Sequence, residues 1–349
     1  MQAPAVKLAT HDDPGAGWDD FVRARPRASI YQLSGWSLLA REVFGHQAFF
    51  LEARTPAGEL VGVLPLVRQK SLVFGDFLTS IPFFNYGGAL ADTPELVQTL
   101  MEGARALAQK LGCRYVEFRD ACPQPGEWQV RTDKVSLLLS LPADFAALSK
   151  QLGSKLRSQV KRVERESPTV RIGGAELLGD FYGLFCRNLR DLGTPVYPRR
   201  FFAKILERFP GECLLVVVDR AGQPAAGAFL VIDAGRAEIP WAACREDAKP
   251  AGFNMKLYWE VLRTVVERNC TQFDFGRSTV DSGTYKFKLQ WGATPLQLYW
   301  HRWDRTATAD AARPAAESPL MRYATSVWKR LPLRVANALG PIVSPGLPW

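Results

Sequence analysis

Apolar positions along the chain gather into pairs of short runs joined by glycine turns, and the pairing occurs twice. Phe49-Phe50-Leu51-Glu52-Ala53 leads through Ala57-Gly58 into Val61-Gly62-Val63-Leu64-Pro65-Leu66-Val67, which predicts two strands around a turn. Leu214 to Val218, then Ala221-Gly222, then Gly227-Ala228-Phe229-Leu230-Val231-Ile232 repeat the arrangement about 164 residues later. Downstream of each hairpin the period changes. Thr93 as N-cap, Pro94 at the first helical position and Glu95 in the first turn predict a helix that Gly112 closes. A strand over Cys113-Arg114-Tyr115-Val116-Glu117-Phe118 follows it. Met255 to Arg268 predicts the matching helix, ended near Asn269, and Cys270-Thr271-Gln272-Phe273-Asp274-Phe275 the matching strand.

Both helix–strand units carry Cys, two variable residues, an apolar residue, an acid and Phe, about 157 residues apart. That interval suits a duplicated domain rather than a short solenoid repeat. Each half reads as antiparallel strands followed by a helix and a further strand, an α+β order. The first domain is expected over residues 1–142, the second over 143–303, and a linker and tail over 304–349. At the start of the second domain, Ala143 to Leu152 and Ser154 to Glu166 predict helices split by Gly153. The second helix places Leu156, Val160 and Val163 at burial spacing and lines up Arg157, Lys161 and Arg165 on another face. Two readings of that basic stripe stay open, a substrate cleft and a solvated face.

Composition bounds the chemistry. A chain of 349 residues, 47% apolar and 23% charged, suits two globular domains, and its net charge of +9 favours anionic partners. The six cysteines lie far apart without CxxC pairs, which predicts reduced thiols and a cytoplasmic protein. Met1 to Pro14 has neither a basic start nor an apolar stretch, so no signal peptide is expected, and no run of ~18 apolar residues predicts a membrane span. His11, His46 and His301 fall in unrelated segments, which argues against a metal site or a Ser-His-Asp triad. Neither a G-x-x-x-x-G-K-[ST] loop nor a G-x-G-x-x-G fingerprint occurs, so nucleotide hydrolysis and hydride transfer are set aside.

Acyl transfer remains, because an activated ester or thioester needs only orientation and stabilisation of the developing oxyanion. The densest concentration of suitable groups is Asp274-Phe275-Gly276-Arg277-Ser278 followed by Gly283-Thr284-Tyr285-Lys286-Phe287-Lys288-Leu289-Gln290-Trp291-Gly292. It predicts a strand, a glycine-broken loop and a basic-aromatic run; the competing reading is a hairpin with core aromatics and solvated bases. Lys288 is the candidate cation beside the reacting carbonyl, with Phe287 as a dry wall. Asp274 either orients and deprotonates the acceptor or caps the loop. Arg277 either grips a phosphate or carboxylate or pairs with Asp274 or Asp281. The equivalent strand of the first half continues as Arg119-Asp120-Ala121-Cys122-Pro123 without a Tyr-x-Phe-Lys run, which puts the site in the second copy. Tyr86-Gly87-Gly88 is either a loop reaching a cleft or a tight turn.

The chain resembles the FemAB-related acyltransferases, in particular the group associated with bacterial PEP-CTERM and exosortase systems. The resemblance rests on Ser71-Leu72-Val73-Phe74-Gly75, Ser80-Ile81-Pro82-Phe83 and Tyr86-Gly87-Gly88 in the first half. In the second half it rests on Gly193-Thr194-Pro195-Val196-Tyr197-Pro198, Phe273 to Ser278, Gly283-Thr284-Tyr285, Phe287-Lys288 and Trp291-Gly292, and in the tail on Trp328 to Leu333. It implies two tandem GCN5-related N-acetyltransferase-like domains with a short C-terminal extension. Fem transferases move amino acids from aminoacyl-tRNA to the peptide of a peptidoglycan precursor, and their Phe-Lys motif, matched by Phe287-Lys288, lies in the active region.

The resemblance implies Phe287-Lys288 in the active region; together with the residue reading above, the candidates are Lys288, Phe287 and Asp274 for catalysis and Arg277, Ser278, Tyr285, Lys286, Tyr86, Tyr197, Arg157 and Lys161 for holding substrate. No tightly bound cofactor or metal is expected. The implied donor is aminoacyl-tRNA or acyl-CoA, and the acceptor an anionic envelope precursor, a sugar linked to a nucleotide or lipid pyrophosphate. The acetyl-CoA loop Gln/Arg-x-x-Gly-x-Gly/Ala has no counterpart, its place being held by Lys249-Pro250-Ala251-Gly252-Phe253-Asn254. The long coiled-coil arm of some Fem enzymes is also missing.

A non-catalytic adaptor of a membrane-bound exopolysaccharide or protein-sorting complex is the alternative function. Thr306 to Pro319 reads as a linker. After Glu317 no acid occurs, while Arg322, Lys329, Arg330 and Arg334 alternate with Trp328, Leu331, Leu333, Val335, Leu339, Ile342 and Trp349. That tail either touches the inner face of the cytoplasmic membrane or packs back on the body.

Overall fold

The computed structural model describes residues 6–71, 74–306 and 319–347. In chain order, the first elements are β1 (Lys7–His11), α1 (Trp18–Arg23), α2 (Ser34–Phe44), β2 (Gln47–Arg54), β3 (Leu60–Ser71), β4 (Gly75–Thr79), β5 (Leu90–Ala91), α3 (Pro94–Lys110), β6 (Tyr115–Asp120) and β7 (Gln129–Arg131). Then come β8 (Lys134–Ser140), α4 (Phe145–Gln151), α5 (Gly153–Val163), β9 (Thr169–Gly173), α6 (Leu178–Leu192), α7 (Arg199–Arg208), β10 (Cys213–Arg220), β11 (Gln223–Asp233) and β12 (Arg236–Cys244). The last are α8 (Phe253–Glu267), β13 (Gln272–Thr279), α9 (Gly283–Leu289), β14 (Thr294–Gln297), β15 (Tyr299–Asp304), α10 (Pro319–Arg330) and α11 (Leu333–Val343). Most of the linker expected at Thr306 to Pro319, residues 307–318, lies outside the described residues, as do Leu72, Val73 and Trp349.

The strands form two sheets of one plan, β1-β2-β3-β4-β6-β15-β7 and β9-β10-β11-β12-β13-β8-β14, with β5 added to β3. Each begins with four antiparallel strands and then turns parallel, at β4–β6 in one sheet and β12–β13 in the other. The helix between the parallel strands, α3 or α8, makes the crossover that such a pair requires. The helix expected at Pro94 starts there, with Thr93 Oγ1 accepting from Leu96 N–H, whereas α8 starts at Phe253, two residues before the expected Met255, α4 at Phe145, two after Ala143, and α5 at Gly153 itself. The β10–β11 turn puts Ala221 and Gly222 at φ 50° and 73°, the left-handed values a tight two-residue hairpin needs.

Helices cover both faces of each sheet, which is why the strands read as nearly continuous apolar runs. In the second unit Leu214, Val216, Val218, Ala228 and Leu230 join Leu257, Val261 and Val265 of α8 in one core. On the other face Phe181, Phe185 and Phe202 of α6 and α7 pack with Phe229 and Trp241. The first unit repeats this, with Phe49, Leu51, Leu64 and Leu66 against Leu100, Met101 and Ala104 of α3, and Trp18 edge-on to Phe50 on the opposite face. Alternation along each strand, with its period of two, supplies both faces.

The units are not continuous in sequence. The first comprises Met1–Lys134, Gln297–Ser318 and Pro345–Trp349, and the second Val135–Leu296 and Pro319–Ser344. These bounds differ from the divisions at 142 and 303 drawn from the sequence, because β8 leaves the first unit to pair with β13 while β15 returns to pair with β6. The alternating Val135, Leu137, Leu139 and Leu141 are buried in the core of the second unit. A fragment of residues 1–142 is therefore expected to lack a cooperative unfolding transition, since β6 loses β15 and β8 has no sheet. Calorimetry of that fragment, alone and coexpressed with residues 143–349, tests this; a sharp transition for the lone fragment would contradict it.

Candidate active site

The parallel pair of each sheet is short and ends on an acid. β12 and β13 pair as Arg236↔Gln272, Ala237↔Phe273 and Glu238↔Asp274, and the register goes no further. Two residues later Gly276 has φ 75°, a value that residues with a Cβ adopt only at a cost. Asp274 Oδ1 holds this kink by accepting from Gly276 N–H at 2.7 Å, and also accepts from Ser136 Oγ of β8 at 2.5 Å. The loop-capping reading of Asp274 is thus realised in its geometry. Beyond the kink, the carbonyls of Gly276 and Arg277 both accept from Lys288 Nζ, at 2.8 and 2.9 Å.

Lys288 arrives there on a helix, not on the loop expected from the glycines. Ser282 caps α9 by accepting from Tyr285 N–H at 3.2 Å, and about two helical turns then carry the basic-aromatic run. Tyr285 and Phe287 are half-buried against the second unit's core, Phe287 lying edge-on to Tyr258 at 5.0 Å, while Lys286 is exposed. Lys288 itself is only 7% exposed. Burial pulls its pKa down to about 8, opposed by Asp274 and Glu238 and assisted by Arg277. Two of its three N–H donors are taken by carbonyls, so among the described residues one is left to meet a ligand. An ammonium held in this way can polarise a carbonyl more strongly than one in water.

The remaining sequence candidates are scattered. Arg277 is exposed, whereas its neighbour Ser278 is buried with a hydroxyl that has no hydrogen-bond partner among the described residues. Arg157 donates to the Ser149 and Lys150 carbonyls and so caps the end of α4, and Lys161 is exposed. Tyr197 is buried among Phe185, Phe201, Phe202 and Trp241, with its carbonyl accepting from Tyr182 Oη at 2.7 Å. Tyr86 belongs to the first unit. Glu238 and Ser136 escaped sequence reading because only strand pairing places them beside Asp274. For Glu238 the one available signal was an acid in the middle of an apolar strand.

The first copy closes the corresponding place. Its parallel pair also has three steps and ends at Thr79↔Glu117, so Glu117 corresponds to Asp274 and Arg119 to Gly276. Ser80 N–H donates to the Glu117 carbonyl, and Gly87 and Gly88 N–H both donate to the Arg119 carbonyl. The Arg119 side chain, 2% exposed, donates to Glu117 at 3.0 Å and to the Phe84 carbonyl at 2.9 Å. The loop carrying Tyr86 therefore seals β6 where β13 meets Lys288.

Residues 150–289 match the family model described as an Acetyltransferase (GNAT) domain, a span that includes α9. Among curated proteins none matches the chain. Among solved structures, FemX superposes with a TM-score of 0.64 at 14% identity, covering 84% of this chain and 96% of that one. The C-terminal domain of a putative lysylphosphatidylglycerol synthetase from Agrobacterium fabrum gives 0.53 at 14%, covering 89% and 95%. A tandem GNAT protein from the clavulanic acid biosynthesis pathway gives 0.50 at 10%, covering 85% and 98%. The fold is that of two tandem GCN5-related N-acetyltransferase-like domains, and FemX shares it.

The buried ammonium has a consequence for stability. Because the folded pKa, about 8, lies below the ordinary 10.5, the unfolded chain binds a proton that the folded chain has lost between those values. Lys288 then adds stability as pH rises through that window, by at most about 1.4 kcal/mol per pH unit. Urea unfolding at pH 7.5 and 9.5 should show this gain for the wild type relative to Lys288→Met, and an equal pH response in both would contradict it. Lys288→Ala should cost about 1–3 kcal/mol by leaving two carbonyls without their donor.

Proposed function

We propose that the protein is an acyl- or aminoacyltransferase that modifies a cell-envelope precursor, of exopolysaccharide or peptidoglycan type, in the manner of the FemAB-related enzymes of PEP-CTERM systems. The observation that carries this reading is the Lys288 ammonium, buried at the carboxyl end of the parallel pair and held by two carbonyls in one copy only. An acceptor amine or hydroxyl attacks the acyl carbon of an activated ester or thioester, and charge develops on the carbonyl oxygen; the adduct then collapses with cleavage of the donor's C–O or C–S bond, and the departing alcohol or thiol takes up the proton that the acceptor loses. Lys288 stabilises that charge through its remaining N–H. Asp274 acts as a positioning residue, since its Oδ1 holds the Gly276 kink that aims both carbonyls at Lys288. Phe287 and Tyr285, packed on the core, support α9.

The donor in this reading is not acetyl-CoA held at a glycine loop on α8. The loop residues are absent, and a Cβ at Gly252, the N-cap of α8, would lie 2.8 Å from Val163 Cγ2 of α5. α5 thus packs where a pyrophosphate would approach that helix start. An aminoacyl ester, as in the Fem reaction, or a thioester bound otherwise is the donor we infer. The acceptor is anionic, as the net charge of +9 and the exposed Arg277 and Lys286 favour, and a pyrophosphate-linked sugar supplies that charge.

Lys288→Ala should lower transfer to an envelope precursor by about 10²–10³-fold, the usual effect of losing an oxyanion donor. Wild-type kcat/KM should fall as pH rises through about 8, because deprotonation removes the charge. Undiminished turnover in a folded Lys288→Ala protein would overturn the assignment. Ser278→Ala breaks no hydrogen bond observed within the protein, so it should leave the melting temperature unchanged while raising KM if that hydroxyl meets substrate.

A further inference from the structure

We propose that the α10–α11 pair is a docking surface for an anionic phospholipid bilayer, a conclusion independent of the catalytic reading. Both helices pack against α6 in the second unit. Arg190 Nη1 donates to the Leu331 carbonyl at 3.1 Å between them. Small residues make the close approach. A Cβ on Gly340 would lie 2.8 Å from Val196 N, and one on Gly193 2.5 Å from Thr325 Cγ2.

The face turned inward on α11 is Ala336, Gly340 and Ser344, all small and buried, the last just beyond the helix end. The face turned outward is Val335, Leu339 and Ile342, exposed by 40%, 41% and 75%. This inverts the usual surface helix, which buries its large apolar side chains and exposes polar ones. Tyr323 and Val327 of α10, one turn apart, are exposed as well, by 70% and 42%. Among the described residues, six of the eleven exposed large hydrophobics fall between Tyr323 and Val343. Such concentration marks an interaction surface, unlike isolated exposed apolar residues.

Charge selects the occupant. Arg322, Lys329, Arg330 and Arg334 are all exposed, and no acid occurs from residue 319 to 347. A second copy would bring an equally basic face, from a chain of net charge +9, against this one. An anionic headgroup layer over acyl chains satisfies both the bases and the apolar stripe. No helix among the described residues is long and apolar enough to cross a membrane, so the contact is peripheral.

Sedimentation of the full chain with vesicles tests the proposal. The protein should bind vesicles of phosphatidylethanolamine and phosphatidylglycerol, less so with rising salt, and ignore phosphatidylcholine vesicles. Leu339→Ser and Ile342→Ser should each weaken binding about tenfold, and Arg330→Glu and Arg334→Glu at least about fivefold each. The charge variants decide the matter should the serine variants fail to fold. Lys288→Ala should bind vesicles as the wild type does, which separates this surface from the catalytic site. Equal binding to phosphatidylcholine, or binding untouched by both sets of variants, would overturn it. So would a wild-type dimer that the serine variants dissociate without any vesicle binding, because the stripe would then cover a second copy.

Discussion

What sets the second unit apart depends on a glycine that turns its strand just past a parallel pair of three steps, a pair that both units share. β12 and β13 share the register only as far as Glu238 and Asp274, and Gly276 then turns β13 with a φ that its missing Cβ permits. Two consecutive carbonyls are thereby presented to one lysine. Without the kink, successive carbonyls of a strand would point to opposite sides, and Lys288 could not be satisfied by both. Burial of that ammonium, with its lowered pKa, follows from the backbone geometry and not from any ion pair alone.

Duplication explains the scaffold, and divergence at one position explains the asymmetry. Both sheets reach the same acid-ended parallel pair, yet Arg119 stands where the other copy has Gly276. An arginine at this place turns inward to Glu117 and the Phe84 carbonyl, and backbone amides of the 80–88 loop complete the seal. Glycine at the same place takes a φ of 75°, and its carbonyl and the next accept from a side chain outside the sheet. The exchange of β8 and β15 ties the copies through the chain, so each sheet is completed by a strand encoded beside the other.

The fold was largely legible in the chain. The hairpins, the capped helix at Thr93 and the repeated Cys-x-x-apolar-acid-Phe segment all have local physical causes, and the repeat even marks the last paired acid, Glu117 or Asp274. Less of the candidate site was legible. Lys288 and Asp274 stood out by density of charge, but Tyr197 lies in an aromatic core and Arg157 caps a neighbouring helix. A tyrosine or arginine near a motif has the same appearance in sequence whether it faces substrate or carbonyl oxygen. The helix from Gly283 was not expected, because the Ser282 cap that starts it rests on a hydrogen bond visible only in three dimensions.

By itself the sequence determined the local elements, the duplication and the concentration of basic and aromatic residues in the second copy, because capping, periodicity and turn preferences act over a few residues. Tertiary structure decided which strand completes which sheet, that Glu238 and Ser136 belong beside Asp274, and that the α11 stripe faces outward while its small residues face in. Those outcomes depend on pairings between residues far apart in the chain. A strand's own alternation says that it has two faces; only its partners decide what each face meets.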